Sequence, residues 1–96
     1  MTGLEIHVID DGDPLRFEIR VGDSERATRH EVTMSRAQFD GLSRGSATPE
    51  QCVRAAFRFL LDREPGEAIL RCFDIAVIGS YFPEFSREFP RYLSAS

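Results

Sequence analysis

The stretch 48-TPEQCVRAAFRFLLDRE-64 decides how the rest of the chain has to be arranged. Thr48 followed three residues later by Gln51 forms a capping box, in which each side chain takes a backbone amide that the first helical turn leaves without a partner. Pro49 at the first helical position loses nothing by lacking an N–H, and Glu50 suits the positive end of the helix dipole. Spaced 100° apart, Gln51, Arg54, Arg58 and Asp62 fall on one narrow strip. Val53, Ala56, Phe57, Leu60 and Leu61 face the other way, and Cys52, Ala55 and Phe59 fill the remaining side. A surface helix of a small domain needs an apolar stripe of roughly 100°. This helix is apolar around most of its circumference, so a sheet on one side is not enough to cover it.

The sheet is legible upstream. Residues 4–9, LEIHVI, alternate with Leu4, Ile6 and Val8 on one face, and residues 15–21, LRFEIRV, do the same with Leu15, Phe17, Ile19 and Val21. Such alternation marks half-buried strands. The intervening DDGDP supplies hairpin-turn residues. After a second turn cluster, GDSER at 22–26, residues 28–34, TRHEVTM, alternate again with His30, Val32 and Met34 together. Ser35 with Gln38 is a further capping box, opening a short helix that ends near Gly45.

Downstream, Pro65-Gly66 stops the Thr48 helix, and Ile69, Leu70, Phe73, Ala76 and Val77 recur at helical spacing over 67–79, with Asp74 placed to cap a new helix and split the segment. Pro83 is positioned to start a last helix of about one to three turns. Within 80-SYFPEFSREFPRYL-93, Phe82, Phe85 and Phe89 fall at i, i+3 and i+7, and Tyr92 and Leu93 continue the line. This stripe is the natural cover for the Thr48 helix. Part of it also suits a contact surface, since aromatics are enriched at interface cores; the candidate partner-binding residues are Tyr81, Phe82, Phe85, Phe89 and Tyr92.

The composition excludes several classes. At 42% hydrophobic and 29% charged, the chain is a folded domain rather than a disordered one. A net charge of −4 disfavours non-specific attraction to nucleic acid or anionic lipid, although residues 26–63 carry seven Arg against four acids. There is no leader pattern, and the apolar run Ile75–Ile78 is far too short for a membrane span, so a soluble cytoplasmic protein is expected. His7, His30, Cys52 and Cys72 lie far apart, without the paired spacing of a zinc site. Asp10, Asp11 and Asp13 sit on an open turn that offers nothing to drive their pKa values apart, and no nucleophile elbow or phosphate loop is present. The strip of Arg54, Arg58 and Asp62 reads as a solvated face with an internal Arg58–Asp62 pair. No enzyme, metal or cofactor is expected.

Two resemblances can be stated on these residues. The stretch FRFLLDREPGEAIL, 57–70, followed by FDIAVIGSYFPEF, 73–85, resembles a family of short bacterial proteins of unknown function, over about residues 53–85. That resemblance implies no activity and no site residue. A second one covers residues 28–63: a strand and two capped helices joined by RGSAT are similar to the ribbon-helix-helix fold, in which paired strands from two chains enter the major groove. It implies that Arg29 and Thr33, with Glu31, face DNA. Glu31 then points a carboxylate at an acidic groove, and two strands precede the motif.

The expectation is therefore a single α+β domain, a three-stranded antiparallel meander over about 3–34 followed by three or four packed helices over about 35–93. Its expected role is that of a non-catalytic interaction module, self-associating or docking another protein through apolar helix and C-terminal aromatic surfaces. A ribbon-helix-helix regulator is the alternative.

Overall fold

The computed structural model describes residues 3–22, 25, 27–45 and 47–95, and the side chains of all of these except 95. The turn expected at 22–26 and the RGSAT linker each include residues outside that set. The fold is α+β. Strands β1 (Leu4–Asp10), β2 (Leu15–Val21) and β3 (Thr28–Met34) form the antiparallel meander. Helices α1 (Arg36–Ser43) and α2 (Pro49–Leu61) follow, each opened by its capping box: Ser35 with Gln38 and Thr48 with Gln51 exchange both bonds. At the end of α1, Arg44 and Gly45 take left-handed backbone angles, which turn the chain toward α2.

The segment after α2 differs from the helix expected over 67–79. It contains a single 3-10 turn (Gly66–Ala68), a fourth strand β4 (Cys72–Asp74) and a short helix α3 (Ala76–Tyr81). The sheet thus has four strands, in the order β1-β2-β3-β4, with β4 parallel to β3. The physical reason is the outer edge of β3, whose backbone groups need partners when that edge is covered. The Glu31 N–H donates to the Arg71 carbonyl at 2.6 Å and the Ile75 N–H to the Thr33 carbonyl at 2.9 Å. A strand of three residues is too short to display alternation, so the apolar spacing around it reads as helical. Asp74 ends the strand, and its carboxylate accepts from the Ala76 N–H at 3.0 Å. The last helix, α4 (Phe85–Ala95), closes the chain.

The helical layer covers one face of the sheet, where Leu15, Phe17, Ile19, Val21, Val32 and Met34 are buried. The opposite face is charged, with Arg16 and Glu31 paired across β2 and β3 at 2.8 Å. Helix α2 sits between the sheet and α4, and Ala55 and Phe59 are both 0% exposed. On its sheet side Phe57 meets His30 and Phe73 at ring distances of 5.5 and 6.0 Å. On its far side Phe59 is clasped edge-on by Phe82, Phe85 and Tyr92, at 5.8, 5.0 and 5.7 Å. The Arg63 guanidinium lies 3.7 Å over the Phe59 ring, and the Tyr92 hydroxyl donates to Asp62. Cover on both sides meets the requirement set by the apolar circumference of α2. Among the described residues no helix is long and apolar enough to cross a membrane.

Candidate docking groove

The five C-terminal aromatics separate by position. Phe85 and Phe89 are buried in the core, and Phe82 and Tyr92 are half-buried against it. Only Tyr81 stands out in solvent, at 68% exposure. The cause is where the helices end: Phe85 and Phe89 lie on the face of α4 that packs on α2, Phe82 sits in the link between α3 and α4 with its ring against Phe59, and Tyr81 closes α3 in solvent. Phe85 and Phe89 therefore spend their apolar area inside the chain.

Tyr81 and Phe82 instead border a groove of about 230 Å³. Leu60 of α2, Ile69 and Leu70 after the 3-10 turn, Phe73 of β4, and Val77 and Ile78 of α3 complete its apolar wall, and Glu64 contributes the carboxylate. Small-molecule sites typically enclose roughly 300–1,000 Å³. This groove is smaller, and its size suits one or two apolar side chains of a larger partner. Leu70 is 48% exposed, so with Tyr81 it forms an apolar rim.

The rim is held from the core by a histidine. His30, inward-facing on β3 and 2% exposed, places Nδ1 2.7 Å from the Leu70 carbonyl oxygen. A carbonyl only accepts, so Nδ1 carries a proton; Nε2 lies 2.9 Å from the Thr28 hydroxyl. The other side of the groove is anchored by Asp74. Burial pushes its pKa up, but the side chains of Gln38 and Thr33, at 2.8 and 2.7 Å, and the Ala76 N–H together pull it below the usual carboxylate range. This one carboxylate links α1, β3 and the start of α3.

The remaining candidates lie away from the groove. Arg29 is exposed on the open sheet face, while Thr33 is half-buried and donates to Asp74. Strand β3 is paired with β2 along one edge and, over Glu31–Thr33, with β4 along the other. Asp11 pairs with Arg36 at 3.2 Å and Asp13 accepts from the Arg36 N–H, so the acidic turn ties β1 and β2 to the start of α1. His7 lies in solvent, 3.9 Å from Glu5. On the polar strip of α2, Arg54 pairs with Glu50 at 3.3 Å. Cys72 is exposed; Cys52 is buried, and burial pushes its thiol up to about 11, which suppresses the nucleophilic thiolate. Among the described residues no cluster of three or more His, Cys, Asp or Glu side chains could hold a metal ion.

Comparison with family models, with curated proteins and with solved structures finds no match for this chain. The groove itself was not visible from sequence, because Ile69 and Leu70 meet the α3 pair Val77 and Tyr81 only through the pairing of β4 with β3.

Proposed function

We propose that the protein is a small non-catalytic interaction module that docks an apolar segment of a partner protein in the groove beside Tyr81. One observation carries the reading: an apolar groove of about 230 Å³ stays open to solvent, rimmed by Leu70 and Tyr81 at 48% and 68% exposure. Exposing large apolar side chains around a preformed concavity is costly unless something covers them. The small volume favours a protein side chain over a metabolite, and the Glu64 carboxylate at the wall favours a basic residue next to that side chain. Of the five aromatics first assigned to a contact surface, Tyr81 and Phe82 serve this reading, and Phe85, Phe89 and Tyr92 support it from behind.

The test is site-specific photocrosslinking in cells. A photoreactive residue in place of Tyr81 is expected to capture a discrete partner, and Val77→Arg, which fills the groove with charge, is expected to abolish the adduct. The same probe in place of Glu18 on the open sheet face serves as the control. Equal adducts from positions 81 and 18, or no adduct from 81, would overturn the reading.

A further inference from the structure

The sheet ends on one side at β4, three residues long, and on the other at β1, seven residues long. The bonding phase of β1 follows from one contact. The Gly22 N–H donates to the Gly3 carbonyl at 2.7 Å, so this opposed pair is hydrogen-bonded. In an antiparallel ladder such pairs alternate with non-bonded ones. Glu5 and His7, opposite Arg20 and Glu18, therefore direct their backbone groups at β2, and Leu4, Ile6 and Val8 direct theirs at the open edge. The Arg54 guanidinium reaches the Leu4 carbonyl on that side at 3.1 Å, which agrees with this phase. The same residues turn their side chains toward the helical layer, yet Val8 is 49% exposed. A strand with outward amides, whose inward row is buried at Ile6, partly covered at Leu4 and half-exposed at Val8, is a template for another strand.

We propose that β1 pairs antiparallel with β1 of a second copy of this chain, around a two-fold axis through Ile6. A two-fold perpendicular to the sheet keeps the inward row on the same side in both copies. Centred on Ile6, it sets Ile6 opposite Ile6, exchanging both main-chain bonds, and Leu4 opposite the second copy's Val8, where the Leu4 carbonyl keeps Arg54 as one donor and takes the Val8 N–H on its second lone pair. On the open face it sets Glu5 opposite the second copy's His7, in the non-bonded pairing where side chains approach most closely. The neighbouring registers fail on charge. An axis through Glu5 faces two carboxylates; an axis through His7 faces two imidazoles and sets Leu4 against Asp10. The register shift between Val8 and Asp10 ends the pairing at Val8. The occupant is thus a second copy, because the strand is complementary to itself in the register centred on Ile6 and not in the two beside it. Strand β4, which lines the groove, lies at the opposite edge of the sheet, so dimer and groove are independent.

Light scattering on the eluting full chain should give twice the 10.9 kDa mass, and amide exchange should slow at Ile6 and Val8 as concentration rises. Val8→Lys should yield a folded monomer by circular dichroism that still forms the Tyr81 adduct. His7→Glu, which sets carboxylates against each other, should weaken the dimer roughly tenfold, and adding Glu5→His should restore it. A monomer at all concentrations, or a dimer that keeps its mass in Val8→Lys while the Ile6 and Val8 amides stay unprotected, would overturn the proposal.

Discussion

Asp74 shows how one side chain can decide the course of a segment. Its oxygens accept from Gln38, Thr33 and the Ala76 N–H, so three elements separate in sequence converge on a single charge. Because its folded pKa is lowered, its contribution to stability is fully present above the ordinary carboxylate value of 3.8 and is lost as pH falls through the lower folded value. Asp74→Asn keeps the shape but turns one acceptor into a donor facing donors. It is expected to destabilise the fold by about 1–3 kcal/mol near neutral pH, with the gap to the parent narrowing below about pH 4. Urea unfolding of both proteins across pH 2.5–7 measures this. An equal gap at every pH would assign the loss to packing instead.

At the scale of elements, the turn at Gly66–Ala68 seats the segment on the sheet because Gly66 has no side chain. A Cβ there would lie 2.9 Å from the Thr28 hydroxyl, which is already engaged by His30, and 3.2 Å from Val21 Cγ1. Gly66→Ala is expected to cost about 1–3 kcal/mol, read as a lowered thermal midpoint. An unchanged midpoint would mean that the turn floats free of β2 and β3. Elements that depend on local signals were legible in the sequence: both capping boxes form with the residues they named, and three strands form where alternation placed them, with burial alternating along β2 and β3 but lost at Val8 of β1. The fourth strand was not legible. Its three residues carry no period, and what makes Cys72–Asp74 a strand is the backbone of Glu31 and Thr33, about forty residues upstream. The groove inherits that blindness, since helical spacing joins Leu70, Phe73 and Val77 along one stripe, while pairing of β4 buries Phe73 and leaves Leu70 on the rim.

On the scale of the whole molecule, a chain this short buries only about 60–65% of the surface its unfolded form exposes. Few apolar groups are therefore surplus. Burial of α2 between a sheet and a tail consumes most of them, and among the described residues the large apolar side chains left exposed are Leu70 and Tyr81 at the groove, Val8 in the proposed strand pairing and Ile9 beside it. The all-round apolar character of α2 was readable from residues 48–64, and so was the tail as its cover. Which tail aromatics would remain outside was not, because Tyr81 and Phe82 are neighbours in sequence and separate only when α3 ends between them.

The most direct test of this division compares Phe85→Ala with Tyr81→Ala in equilibrium urea unfolding. Phe85 is 6% exposed and packed edge-to-face with Phe59, so its truncation is expected to cost about 3–5 kcal/mol. Tyr81→Ala should stay within about 0.5 kcal/mol of the parent, as for a side chain held in solvent. Similar losses for the two variants, or a larger loss for Tyr81→Ala, would contradict the assignment of the tail to the core and of Tyr81 to a free docking surface.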